Sequence, residues 1–291
     1  MNRRLQYAGL VALGVLAAVL SVCALPQVRL AGASPAEPPA RSPSNSATAL
    51  PTIPRSTADP SASSATSPDP ATPDPGTLTR LGVGGLADAI GGLSAASVLV
   101  LGDGSGDAAD EWVRVWATTY LAKDRAVSYR SWDASSQRWR TSHRTGGGPT
   151  LTVWNGSQSA PDLAAEPARV ARLWRHVDTV LLSYGHRKDA ASIPARLAAV
   201  RRAVLSKNAG ANFVVLIQNP DPAASEATQL KTTRAVREWA KGANLETVDI
   251  YSAFQADHRR RGTLVEWDGS PTPAGSRLWA KTLQAAITEA D

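Results

Sequence analysis

Ser97-Val-Leu-Val-Leu-Gly-Asp-Gly-Ser-Gly-Asp107 runs from a short apolar segment into a turn built on alternating glycines. The next stretch carries Trp112, Val113, Trp116, Ala117, Tyr120 and Leu121 at helical spacing, which gives one apolar stripe. A strand, a tight turn and a helix in this order make the unit of an open α/β sheet. Such sheets place their sites at the carboxyl ends of strands. Asp103, Gly104 and Ser105 stand at that end.

Outward from this unit the pattern repeats. Strands are predicted at 97–102, 127–131, 178–184, 212–218 and 245–250, and three of these are continuous or nearly continuous apolar runs. Parallel strands covered on both faces read that way. Helices are predicted at about 112–121, 167–175, 192–206, 225–241 and 273–289. Pro194 and Pro273 suit first turns, and Asn208 and Gly210 suit a helix end. Thr150-Leu-Thr-Val-Trp154 and Trp139 suggest further extended structure around a Gly146–Gly148 turn. The series implies an α/β protein, a three-layer α/β/α sandwich with a central parallel sheet of about five strands and right-handed crossovers.

The chain divides into three before this domain count is complete. Residues 1–33 read as a signal peptide or membrane anchor: Asn2-Arg3-Arg4 precedes an uncharged run, residues 8–25. Residues 34–76 hold 11 Pro and 9 Ser without apolar periodicity, the composition of a disordered, extended tether. Residues 77–291 form the globular domain. Either reading of the first segment places that domain outside the cytoplasm, membrane-anchored or secreted. The one cysteine, Cys23, lies in the apolar run, so neither a disulfide nor a thiolate metal site is expected in the domain. Basic residues are dispersed apart from Arg259-Arg260-Arg261, and no nucleic-acid stripe is present.

The blocks at the predicted strand ends resemble those of the SGNH/GDSL hydrolases. Gly102-Asp103-Gly104-Ser105 resembles the Gly-Asp-Ser opening, and Asp110-Glu-Trp-Val113 resembles an extracytoplasmic actinobacterial branch. Trp154-Asn-Gly-Ser157 stands at the second block and Leu182-Ser-Tyr-Gly-His-Arg187 at the third. Trp267-Asp-Gly-Ser-Pro-Thr-Pro-Ala-Gly275 resembles the Asp-Gly-x-His-Pro-x-x-Ala-Gly sequence before the last helix. The resemblance implies a flavodoxin-like three-layer fold and ester hydrolysis by a serine activated by a histidine, and the residue spacing points to no cofactor and no metal. Under it, Gly104 occupies the serine position, Arg187 the asparagine position and Ser270 the histidine position. Trp267 or Asp268 falls at the aspartate, and Gly156 at an oxyanion amide.

Two functions follow. In the first, the domain is catalytically impaired or inactive and binds a cell-envelope carbohydrate or an acylated small molecule. The pocket then comprises Asp103, Gly104, Ser105, Asn155, Gly156, Arg187, Trp267, Asp268 and Ser270. In the second, it is an active esterase with Ser105 as a displaced nucleophile, His186 or His258 as base, and Asp103 as orienting acid. Other chemistries fit less well. Gly102-x-Gly104-x-Gly106 lacks the third glycine of a dinucleotide loop, and Asp103 and Asp107 repel phosphate. Asp103, Asp107 and Asp110 lack calcium-loop spacing. Trp132, Trp139, Trp154 and Trp267 fall in predicted loops or edges, where exposed indoles would suit sugar stacking, although a tryptophan-rich core accounts for most of them.

Overall fold

The structure is a computed structural model that describes residues 80–291 except 160, 187, 259 and 260. The expectations for residues 1–33 and 34–76 lie outside the described residues. Among the described residues no helix is long and apolar enough to cross a membrane.

The elements follow in chain order. Helix α1 (Gly82–Gly91) leads to β1 (Ala96–Gly102), and α2 (Trp112–Val115) widens into a π turn at Trp116–Tyr120. Then come β2 (Ala126–Asp133), two short strands β3 (Arg138–Trp139) and β4 (His143–Thr145), and β5 (Thr150–Asn155). Helix α3 (Glu166–Leu173), β6 (Thr179–Ser183), α4 (Ile193–Leu205) and β7 (Asn212–Ile217) alternate next. The chain closes with α5 (Glu226–Gly242), β8 (Glu246–Asp249), α6 (Ile250–Ala256) and α7 (Pro273–Ala290).

The sheet order is β3-β2-β5-β1-β6-β7-β8, with β4 also pairing β2. Strands β2, β5, β1, β6, β7 and β8 pair in parallel, and β3 and β4 run antiparallel to β2. The expected count of about five is therefore corrected: Thr150–Asn155 is an interior strand between β2 and β1. Its connection from β2 is a hairpin ribbon rather than a helix, which hid it from a β-α-β reading.

Both faces of the central strands are buried. Val98, Val100, Leu181, Val214 and Leu216 pack under α1, α2 and α7. Leu99, Leu101, Val180, Val215 and Ile217 pack under α3, α4 and α5. Alternate residues thus face two cores, which is why these strands read as continuous apolar runs. Trp112 stacks on Trp279 at 5.0 Å with planes 3° apart, locking α2 to α7.

Strand β1 sits at the switch point, with β5 on one side and β6 on the other. Register sets Val100 beside Asn155 and Gly102 beside Ser183, so the strand ends form one edge. A buried ion pair ties this edge to α3. Arg169 donates to both Glu166 oxygens at 2.8 and 2.7 Å and to the Gly156 carbonyl at 2.7 Å, and Tyr184 Oη donates to Glu166 at 2.7 Å. Arg169→Met leaves Glu166 buried and uncompensated. Chemical denaturation is expected to show a loss of about 3–5 kcal/mol; a loss below about 1 kcal/mol contradicts this role.

Candidate functional site

The turn after β1 is held by its own first residue. Asp103 is buried, and its Oδ1 accepts from the Ser105 amide at 3.1 Å. Close approach dictates the glycines on either side. A Cβ on Gly102 would lie 2.9 Å from Ser157 Oγ and 3.0 Å from the Ser183 carbonyl, and one on Gly104 would lie 3.1 Å from Ser159 Oγ. Ser159 is fixed there by donating to Asp107 at 2.7 Å. A side chain at 104 would press on the loop after β5, which would have to give by a few tenths of an ångström.

Ser105 is 3% exposed, and its Oγ has one hydrogen-bond partner, the Gln218 side-chain amide at 3.3 Å. Gln218 also donates to the Ser183 carbonyl at 2.9 Å and accepts from the His186 amide at 2.8 Å. The His186 ring is aimed elsewhere. Its Nε2 lies 2.6 Å from the Asn219 carbonyl, which can only accept, so Nε2 carries the proton. Its Nδ1 lies 3.7 Å from Asp103 Oδ2, an oxygen without a hydrogen-bond partner. No imidazole is hydrogen-bonded to Ser105 among the described residues.

The loop before α7 closes over the same point. Ser270 Oγ donates to the Gly104 carbonyl at 3.2 Å, and Asn219 Nδ2 donates to the Gly269 carbonyl at 3.0 Å. A Cβ on Gly269, where φ is +89°, would meet Asp221 at 3.2 Å and His186 Nδ1 at 3.7 Å. Asp103, Gly104, Ser105, His186 and Ser270 are therefore brought together.

The remaining sequence candidates sit differently. Asn155 is buried and committed: it donates to the Gly106 carbonyl at 2.6 Å and Tyr129 Oη at 3.0 Å, and accepts from the Ser157 amide at 3.1 Å. The Gly156 amide continues the β1 ladder through the Val100 carbonyl at 2.8 Å, which leaves no N–H for an oxyanion. Trp267 is 81% exposed, and Asp268 is exposed with Oδ1 turned to the Ser270 amide. His258 is exposed and hydrogen-bonds to none of these groups. Arg187 lies outside the described residues. No cluster of metal-ligating side chains occurs among the described residues.

Gln218 and Asn219 were missed by sequence reasoning. The available signal was a polar Gln-Asn-Pro-Asp run directly after six buried residues of β7, at a strand's carboxyl end. Open space lies on their far side. A cavity of about 290 Å³ is bounded by Tyr184, His186, Asn219 and, from α5, Thr232 and Val236.

Comparison with solved structures bears on the fold. A putative GDSL-like lipase from Parabacteroides merdae matches with a TM-score of 0.50 at 14% identity, over 68% of this chain and 98% of its own. An α/β hydrolase enzyme from the metagenome of Lake Arreo, Spain, matches with a TM-score of 0.50 at 14% identity, over 69% and 100%. The domain has the SGNH/GDSL hydrolase fold. A two-domain esterase active on acetylated mannans matches with a TM-score of 0.51 at 15% identity, over 70% of this chain and 51% of its own. No protein-family model and no curated sequence matches the chain.

In this SGNH/GDSL-like domain the turn after β1 is also strongly acidic. Burial pushes the Glu111 carboxyl up to about 8, with Asp107, Asp110 and Asp103 adding repulsion; the Ala108 amide, donating to it at 2.6 Å, opposes the rise. Burial likewise raises Asp107. Unfolded, Glu111 titrates near 4.5, so the folded chain holds the extra proton between about 4.5 and 8. Its contribution to stability is full below that window and declines as pH rises through it. Melting curves of Glu111→Gln are expected to lose that slope and to show a Tm at pH 8 higher than wild type, by about 2–4 °C per kcal/mol recovered. An unchanged pH profile contradicts the assignment.

Proposed function

We propose that this exported SGNH/GDSL hydrolase-like domain binds a cell-envelope ligand, a carbohydrate or an acylated small molecule, without hydrolysing it. One contact carries the reading: Ser270 Oγ on the Gly104 carbonyl at 3.2 Å. By the block resemblance these are the positions of base and nucleophile, and the Ser270 hydroxyl meets the backbone of Gly104. Neither residue brings the chemistry. Glycine has no hydroxyl, and a serine hydroxyl does not take up a proton near neutral pH.

The neighbouring groups do not replace them. Ser105 is tied to an amide donor that cannot act as a base, and the proton of His186 points to the Asn219 carbonyl. Removing a triad nucleophile or base alone costs about 10⁶ in rate. The cavity beside His186 and Asn219 leaves room for a ligand without bringing it to an activated hydroxyl. Export rests on the basic and apolar composition of residues 2–25 and on the Pro/Ser tether.

The purified full chain, assayed with p-nitrophenyl acetate beside Ser105→Ala, is expected to show equal rates for the two proteins. Hydrolysis that falls about 100-fold or more in the variant would instead establish Ser105 as a nucleophile.

A further inference from the structure

The β2–β5 half of the sheet has one uncovered face. Val127, Tyr129, Leu151 and Val153 point into the core under α2, whereas Ser128, Arg130, Thr150, Thr152 and Trp154 alternate onto the other face. In a doubly wound sheet the crossover from β2 to β5 would be a helix lying on that face. Here it is the β3–β4 ribbon at the sheet edge, so the face stays open.

Two depressions of about 470 and 330 Å³ lie along it and share Arg130 and Trp154. Their linings contain five arginines (Arg130, Arg138, Arg144, Arg172 and Arg175) and no Asp or Glu. Among the described residues the guanidiniums of Arg130, Arg138, Arg144 and Arg172 have no hydrogen bond or ion pair. Asp133, at the end of β2, is turned to Ser135 and Ser136, with Arg140 at 3.8 Å.

We infer that this groove binds an extended anionic polysaccharide. Pairing sets Arg144 beside Ser128 and Trp139 beside Trp132, four residues along β2 on the same face, about 13 Å at roughly 3.3 Å per residue, and Arg138 and Arg172 line the depression at the Trp139 end. Charges spread along a strand suit repeated anionic groups on a chain rather than one compact ion. An indole holds the middle of the row: Arg130 and Arg175 lie over the Trp154 ring at 5.4 and 5.6 Å, and Arg175 also donates to the Trp174 carbonyl at 2.6 Å. The hydroxyls of Ser128, Thr145, Thr150 and Thr152 line the floor without side-chain partners and match sugar hydroxyls.

The same indoles disfavour nucleic acid. Trp132 is buried, Trp139 meets Trp132 and Trp154 edge-on at 5.3 and 5.0 Å, and Trp154 lies beneath guanidiniums. Bases would have to displace these guanidiniums to stack on Trp154. The groove is separate from the Gly104–Ser270 contact, so polysaccharide binding here and the absence of hydrolysis there are tested by different experiments.

The test is affinity electrophoresis of the full chain through polygalacturonate, neutral dextran, polyglutamate and oligo-dT. Polygalacturonate is expected to retard the protein, dextran not, and salt to weaken binding progressively. Arg144→Gln with Arg172→Gln, both exposed, is expected to weaken retardation about tenfold, some 1.4 kcal/mol. Arg202→Gln with Arg277→Gln makes the same change in net charge on other helices and is expected to leave it unchanged. Equal loss in the two double variants, full binding by the groove variant, or retardation as strong in polyglutamate or oligo-dT overturns the proposal.

Discussion

The carboxyl edge of the sheet depends on how closely three loops approach the turn that ends β1. Gly102 admits Ser157 and the Ser183 carbonyl, and Gly104 admits Ser159, at separations that a side chain would close to about 3 Å. Asp103 keeps the turn in place through the Ser105 amide and turns its second oxygen to His186. Because β1 lies at the switch point, this turn meets the ends of β5, β6 and β7 and the loop before α7 together. The same packing leaves a side chain at position 104 little room unless the Ser159 segment gives by a few tenths of an ångström.

The result is an edge where many polar groups serve one another, while Asp103 Oδ2, Ser157 Oγ and Asn219 Oδ1 are buried without a hydrogen-bond partner. Gln218 bonds Ser105, Ser183 and His186; Asn219 bonds His186 and Gly269; Asn155 bonds Gly106, Tyr129 and Ser157. Groups that catalysis needs free to meet a substrate are committed to the scaffold. Room for ligands lies to either side: the cavity toward α5, and the arginine groove left by the ribbon crossover. A fold of this kind does not by itself fix an activity.

The central strands were legible in the sequence because burial on both faces writes a plain signal, and β1, β6 and β7 fall where their apolar runs do. Helix α1 was not legible. Its Gly82-Val-Gly-Gly85 start has poor intrinsic helix propensity, and it is held instead by Asn212 and Glu246, which accept from the amides of Gly82 and Val83. Strand β5 alternates polar and buried residues because only one of its faces is covered, so its place inside the sheet could not be read from periodicity. At the site, the loops that meet were predicted by block order. The engagement of Gln218 and Asn219, and the commitment of Asn155 and the Gly156 amide, depend on pairings distant in sequence that no local pattern records.

The central claim is that the serine beside this turn is not activated, and a fluorophosphonate probe reads activation directly. Intact-mass measurement of the full chain after exposure is predicted to show no adduct. A stoichiometric adduct that disappears in Ser105→Ala would contradict the account.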